Sequence, residues 1–149
     1  MIDSNKWDGL PAWVTPDRLP EYLREHAGEL LTQARPFAAY MRGKFKEKGV
    51  LQQNVFLAAD ISENYGYKLI AEEKHTVNRD ILLRICLGAG FLLGETQEAL
   101  ILYGMAPLRD RIPRDIVFIT AIRCGLCDVH RVNSLLIRCG QTPLFRDPE

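Results

Sequence analysis

No run of apolar residues in this chain approaches the roughly 18 that a membrane-crossing helix needs, and its opening, MIDSNKWDGL, has neither zone of an export signal. Those two absences predict a cytoplasmic protein with no membrane partner. In that compartment the four cysteines are expected as reduced thiols, not as a disulfide framework. A glycine-rich phosphate loop is missing, as is a pair of carboxylates on one face. His26 and His75 have no serine, cysteine or carboxylate at a diagnostic spacing. The expectation is therefore no enzyme, no catalytic residue and no cofactor. Alternating strand patterns are also lacking, which leaves an all-α fold. Net charge is zero, with 19 basic against 19 acidic groups, and this excludes an indiscriminate polyanion binder.

What is present is enough apolar material for one sizeable core: 149 residues, 47% hydrophobic. The charge is unevenly placed. Residues 1–34 hold three basic and six acidic groups (net −3), residues 35–84 hold nine and six (net +3), and the remainder holds seven of each. Any electrostatic footprint for a nucleic acid falls on the middle segment and is modest.

The first stretch, WDGLPAWVTPDRLP, has two tryptophans and three prolines and is predicted to be irregular up to Pro20, a good first helical residue. Leu23, Ala27, Leu30, Leu31 and Ala34 then recur at helical spacing until Pro36. Trp7 and Trp13 are expected to be anchors, either on this chain's own core or on another subunit or partner. In PFAAYMRGKFKEKG, Phe37, Tyr40, Met41 and Phe45 form one apolar stripe, and Gly49 closes the helix. A short helix over QQNVFLAAD, a turn at Ile61 and Ser62, and a second helix to about Glu72 follow, with Ser62 as its N-cap.

The second half contains a repeat. NRDILLRICLGAGFLLGETQEALILYGMAPL and PRDIVFITAIRCGLCDVHRVNSLLIRCGQTPL both open on Arg-Asp-Ile, pass a glycine and end on Pro-Leu. The offset is 35 at Arg79/Arg114, Asp80/Asp115 and Gly90/Gly125, and 36 at Pro107/Pro143 and Leu108/Leu144. Each copy reads as helix, glycine turn, helix, and two copies alone are expected to pack on the first half. Asp80 and Asp115 fall in first turns, where a carboxylate suits the helix dipole, and each arginine can reach across the hairpin. CGLCDVH puts Cys124, Cys127 and His130 at a spacing that suits zinc, with Cys139 as a fourth ligand. The repeat offers another account, since it aligns Cys124 with Ala89 and Cys139 with Gly104. On that account they are small buried thiols and there is no metal.

Residues 50–80 resemble the helix-turn-helix of the Xre/Cro/repressor family. Gln52 falls where that family often has a glutamine at the start of the first motif helix, Ile61-Ser62 matches its apolar residue and serine at the turn, and Leu69 matches its late apolar anchor. The likeness runs from about Phe37 to Gly104, and NYGYKLI followed by the two Arg-Asp hairpins is similar to a bacterial Xre-like subgroup. It implies a repressor-like helix-turn-helix bundle with an N-terminal arm and helix (1–35), the motif domain (36–108) and a C-terminal helical hairpin packed on it (109–149). It further implies a sequence-specific DNA-binding transcriptional regulator, a homodimer on two half-sites. The DNA-binding residues would be Gln52 and Ser62 on phosphates and Glu63, Asn64, Tyr67 and Lys68 toward base edges. Asn64 is the best reader, because its amide can contact adenine twice. Lys44, Lys46 and Lys48 could supply counterion release or simply form a solvated face.

Three departures from the family pattern bear on function. Its small residue in the first helix and branched one in the second are here Phe56 and Gly66, large exchanged with small, which can conserve volume. Ala71-Glu72-Glu73 ends the reading helix and Glu63 begins it, and those carboxylates oppose phosphate. The alternative is therefore a non-catalytic protein-interaction module that keeps the fold without DNA and uses the acidic N-terminal arm with Trp7 and Trp13, or the apolar hairpins, to bind another protein.

Overall fold

The computed structural model describes residues 10–27 and 35–145, and every helix among them is α, with no strand. The chain divides into two compact units, the break falling between Ala34 and Arg35. In the first unit, α1 is Leu19–Glu25, with Pro20 in its opening turn. Trp13 meets Tyr22 edge-on at 5.6 Å, Tyr22 stacks on His26 at 4.2 Å, and Trp13 remains 41% exposed. The expected anchor Trp7 and the helical positions Leu30, Leu31 and Ala34 lie outside the described residues.

The second unit holds α2 (Pro36–Lys48), α3 (Gln52–Ala59), α4 (Glu63–Ile70), α5 (Arg79–Gly88), α6 (Leu93–Tyr103), α7 (Pro113–Arg123) and α8 (Val129–Arg138). Pro36 opens α2, where its missing N–H costs nothing, and Gly49 ends it in the left-handed region at φ 67°. Phe37, Met41 and Phe45 are buried as the stripe requires, with Tyr40 half-buried beside them. Only residues 60–62 separate α3 from α4. Asp60 takes a left-handed φ of 57°, Ile61 N–H returns to Phe56 O at 3.0 Å, and Ser62 Oγ accepts Tyr65 N–H at 3.4 Å. Helix α4 stops at Ile70, a little before the expected Glu72.

Helix α3 lies against α5, α2 against α6, and α4 against both α2 and α3, around a core that includes Phe37, Phe56, Leu69, Ile70 and Leu82. The α3–α5 approach is close because Gly88 has no side chain. A Cβ there would stand 2.8 Å from Val55 O and 3.1 Å from Ala59 N. Those are backbone atoms of a helix and cannot swing aside. Gly88→Ala, which in an open helix gains roughly 0.5–1 kcal/mol of propensity, is expected instead to lower the urea midpoint, and a raised midpoint would show that α3 and α5 can separate freely.

The repeat is visible in three dimensions, and its copies exchange partners. Arg79 of the first hairpin pairs with Asp115 of the second, while Arg114 of the second holds Asp80 of the first through two bonds of 2.7 Å. Helix α5 packs on α8 and α6 on α7, the contact pattern of a two-fold and not of a translation. Each arginine also ties the end of its own copy, Arg79 to Ala106 O and Arg114 to Thr142 O. The side-chain amides match as well: Gln97 clamps Leu108 N–H and C=O at 2.7 and 2.8 Å, and Asn133, 36 positions on, accepts Leu144 N–H at 2.6 Å.

The change of offset falls just before α8. Gly90 and Gly125 both turn left-handed, but the N-cap is Leu92 in one copy and Asp128 in the other, so Cys127 is the extra residue. Gly104 consequently matches Gly140, both with positive φ, and Cys139 matches Tyr103. This corrects the cysteine reading. Cys124 and Cys139 are exposed and Cys127 is half-buried. Cys86 is the fully buried thiol, and that burial pushes it up to about 12, although Thr96 bonds to it.

Candidate nucleic-acid interface

Helix α4 is fixed from one side and open on the other. Gly66, Leu69 and Ile70 are buried, whereas Glu63, Asn64 and Tyr67 are exposed and Lys68 is half-buried. Positions 63, 64, 67 and 68 follow the i, i+1, i+4, i+5 spacing of one helical face. Gly66 lets Phe56 close the gap between the two motif helices. A Cβ at position 66 would stand 2.5 Å from the Phe56 ring, which also meets Tyr67 edge-on at 5.1 Å. The large-for-small exchange noticed in the sequence is thus a direct contact.

The six predicted DNA-binding residues occupy the two helix starts and this face. Gln52 is the first residue of α3 and half-buried, and Ser62 caps α4. Asn64 is exposed on the first turn. Glu63 is engaged by its neighbour one turn on: partial burial and then the Glu63 carboxylate, by charge and by hydrogen bond, raise the Tyr67 hydroxyl above its ordinary value.

Two charge expectations change. Lys44 and Lys48 do not stand on a solvated face, because Glu95 of α6 gathers both, at 3.2 and 2.6 Å, along with Leu92 N–H at 2.8 Å. Burial works against the charge on Glu95, but the bonds from Lys48, Leu92 and Lys44 outweigh it and hold the carboxyl below its usual range. Lys46 and Arg42 remain exposed. At the far end of α4, Glu72 accepts Ala38 N–H at 3.3 Å, so its carboxylate serves the N-terminus of α2. Arg35 donates to Ala71 O at 2.9 Å beside it.

Family models, curated proteins and solved structures give no match to this chain. Its function has to be read from its own surface.

Beside the α4 face lies an open depression of about 280 Å³ lined by Gln53, Asn54, Phe56, Leu57, Ile61 and Glu63. Leu57 on its rim is 79% exposed. Elsewhere the candidate chemistry dissolves into structure. The three histidines each stack on an aromatic ring: His26 on Tyr22, His75 on Tyr103 and His130 on Phe145. Among the described residues no three His, Cys, Asp or Glu side chains converge as a metal site would require, and the Cys124, Cys127, His130 and Cys139 set is no exception. No helix among them is long and apolar enough to cross a membrane.

Arg84, which the sequence did not single out, holds the α3–α4 turn. Its Nε donates to Ala59 O at 3.0 Å and a terminal nitrogen donates to Asp60 O. These are carbonyls left over at the end of α3, where a cation is favoured. Arg84 within RDILLRICLG carries no local signal for a partner 25 residues earlier.

Proposed function

We propose that the protein is a sequence-specific DNA-binding regulator with a repressor-type helix-turn-helix, α3 and α4 forming the motif and α4 entering the major groove. The observation that carries this reading is the capped, one-sided α4, whose back is packed on Phe56 and whose front carries the exposed Asn64 and the half-buried Lys68. Asn64 reads adenine through its amide, Lys68 and Ser62 hold phosphates, and Gln52 meets a phosphate at the start of α3. Glu72 is tied to the N-terminus of α2 through Ala38 N–H. Glu63 accepts from cytosine N4. Two such modules on half-sites one helical turn apart supply the affinity that one cannot.

The test is fluorescence anisotropy on genomic duplexes at two salt concentrations. Asn64→Ala/Lys68→Ala is expected to lower affinity by about tenfold to a hundredfold and to flatten the salt slope by about one unit. Equal binding by the folded double variant would end this reading.

A second reading, a protein-interaction module on the same scaffold, is favoured by the depression beside α4 and the bare Leu57. An adaptor of this kind is indifferent to Asn64 and Lys68. It responds to Leu57→Asp, or to loss of residues 1–19 if the acidic arm is the docking element.

A further inference from the structure

Three residues that have no like partner in the other copy meet in space. Offsets of 35 and 36 place Ile119 opposite Arg84, Gly94 opposite His130 and Arg109 opposite Phe145. The matched features, the Arg–Asp exchanges and the Gln97 and Asn133 clamps, hold the hairpins to each other. Arg84, His130 and Phe145 meet at the chain segment that follows α8. Arg84 lies 4.3 Å from the centre of the Phe145 ring, and His130 stacks on the same ring at 5.1 Å. Asn133 Oδ1 fixes the backbone there by accepting Leu144 N–H at 2.6 Å and Phe145 N–H at 3.0 Å.

We propose that residues 141–145 form a strap that positions the α3–α4 turn, with Phe145 holding the Arg84 fork on the carbonyls of Ala59 and Asp60. An arginine has a flexible stem and can leave for water unless its plane is held. The aromatic face supplies that hold by cation–π attraction, and His130 and Asn133 keep the ring in place. The turn needs it, because Asp60 sits in the left-handed region without being glycine and the last carbonyls of α3 have no helical partner. Since residues 60–62 are the whole connection, any loosening there changes the angle at which α4 is presented. Arg84 and Phe145 are positioning residues; neither lies on the α4 face.

Amide exchange of the full chain, followed by mass spectrometry, tests this. In Phe145→Ala the amides of residues 60–62 are expected to exchange roughly three- to tenfold faster than in wild type, while those of α6 keep their rate. Phe145→Tyr, which retains the ring, should behave as wild type. Arg84→Lys, which loses the fork, should behave as Phe145→Ala. Should Phe145→Ala not fold, Phe145→Leu keeps apolar bulk without a π face and is compared in the same way. Unchanged exchange at residues 60–62, or a rise of the same size in α6, would overturn the proposal. A DNA measurement rests on the reading above: Phe145→Ala is expected to weaken binding and Phe145→Tyr to preserve it. Failure of the wild type to bind DNA would remove that reading and leave the exchange result standing.

Discussion

Gly66→Val is expected to lower the stability of this protein by about 3 kcal/mol, at the upper end of what overpacking a helix contact costs. A Cβ at this position stands 2.5–2.7 Å from three atoms of the Phe56 ring, and the ring is fully buried, so it has no solvent to retreat into. Gly66→Ala is also expected to destabilise, which reverses the usual order, since alanine in mid-helix is worth roughly 0.5–1 kcal/mol over glycine. The comparison separates propensity from contact. Urea midpoints of Gly66→Ala, Gly66→Val and their combinations with Phe56→Leu measure it, and the combinations should recover part of the loss through coupling between touching residues. A midpoint that rises in Gly66→Ala would mean that the ring can shift and that α3 and α4 are less tightly joined than the structure places them.

Asp115→Ala is the second large effect. The carboxylate is fully buried and holds Arg79 through one oxygen and Arg109 N–H, at 3.0 Å, through the other. Removing it leaves both donors short of a partner, and the loss is expected to be about 3 kcal/mol. Breaking a wholly buried pair costs about 3–5 kcal/mol, and the lower figure applies because Arg79 is partly exposed. Asp80→Ala, at the symmetric position, should cost less, because the Asp80 side chain is 22% exposed and water can take over from it. Chemical denaturation of the two single variants checks the order. Equal losses would show that the two halves of the exchange are energetically alike despite their different burial.

Much of the helical framework was legible because its signals are local. Pro36 and Gly49 bracket α2, Ser62 caps α4, and the left-handed glycines at 90 and 125 mark equal places in the two hairpins. The pairing of a large Phe56 with a small Gly66 was noticeable only against the pattern of the family the motif resembles, and the structure makes it a direct contact. The charged contacts were not legible. Lys44 and Lys48 reach a carboxylate about fifty positions on, and Arg84 reaches back to α3, so their partners depend on how helices cross and not on spacing. The repeat revealed that Arg79, Asp80, Arg114 and Asp115 belong together but not that they trade partners between copies. The cysteines misled for a different reason: aligning the second helices with the offset of the first placed Cys139 on a glycine, and the single extra residue at Cys127 shifts that register.

The reciprocal exchange also decides how far this architecture can grow. Hairpins stacked by translation leave a fresh docking face at each end, so an array of them lengthens by adding units. Here each hairpin spends the same face on the other, as two subunits of a closed dimer do. Asp80 and Asp115 are both occupied, and a third copy of the segment would arrive with an arginine and find no free carboxylate to receive it. The pair terminates itself, and duplication in this protein yields a finished domain instead of the first step of a filament.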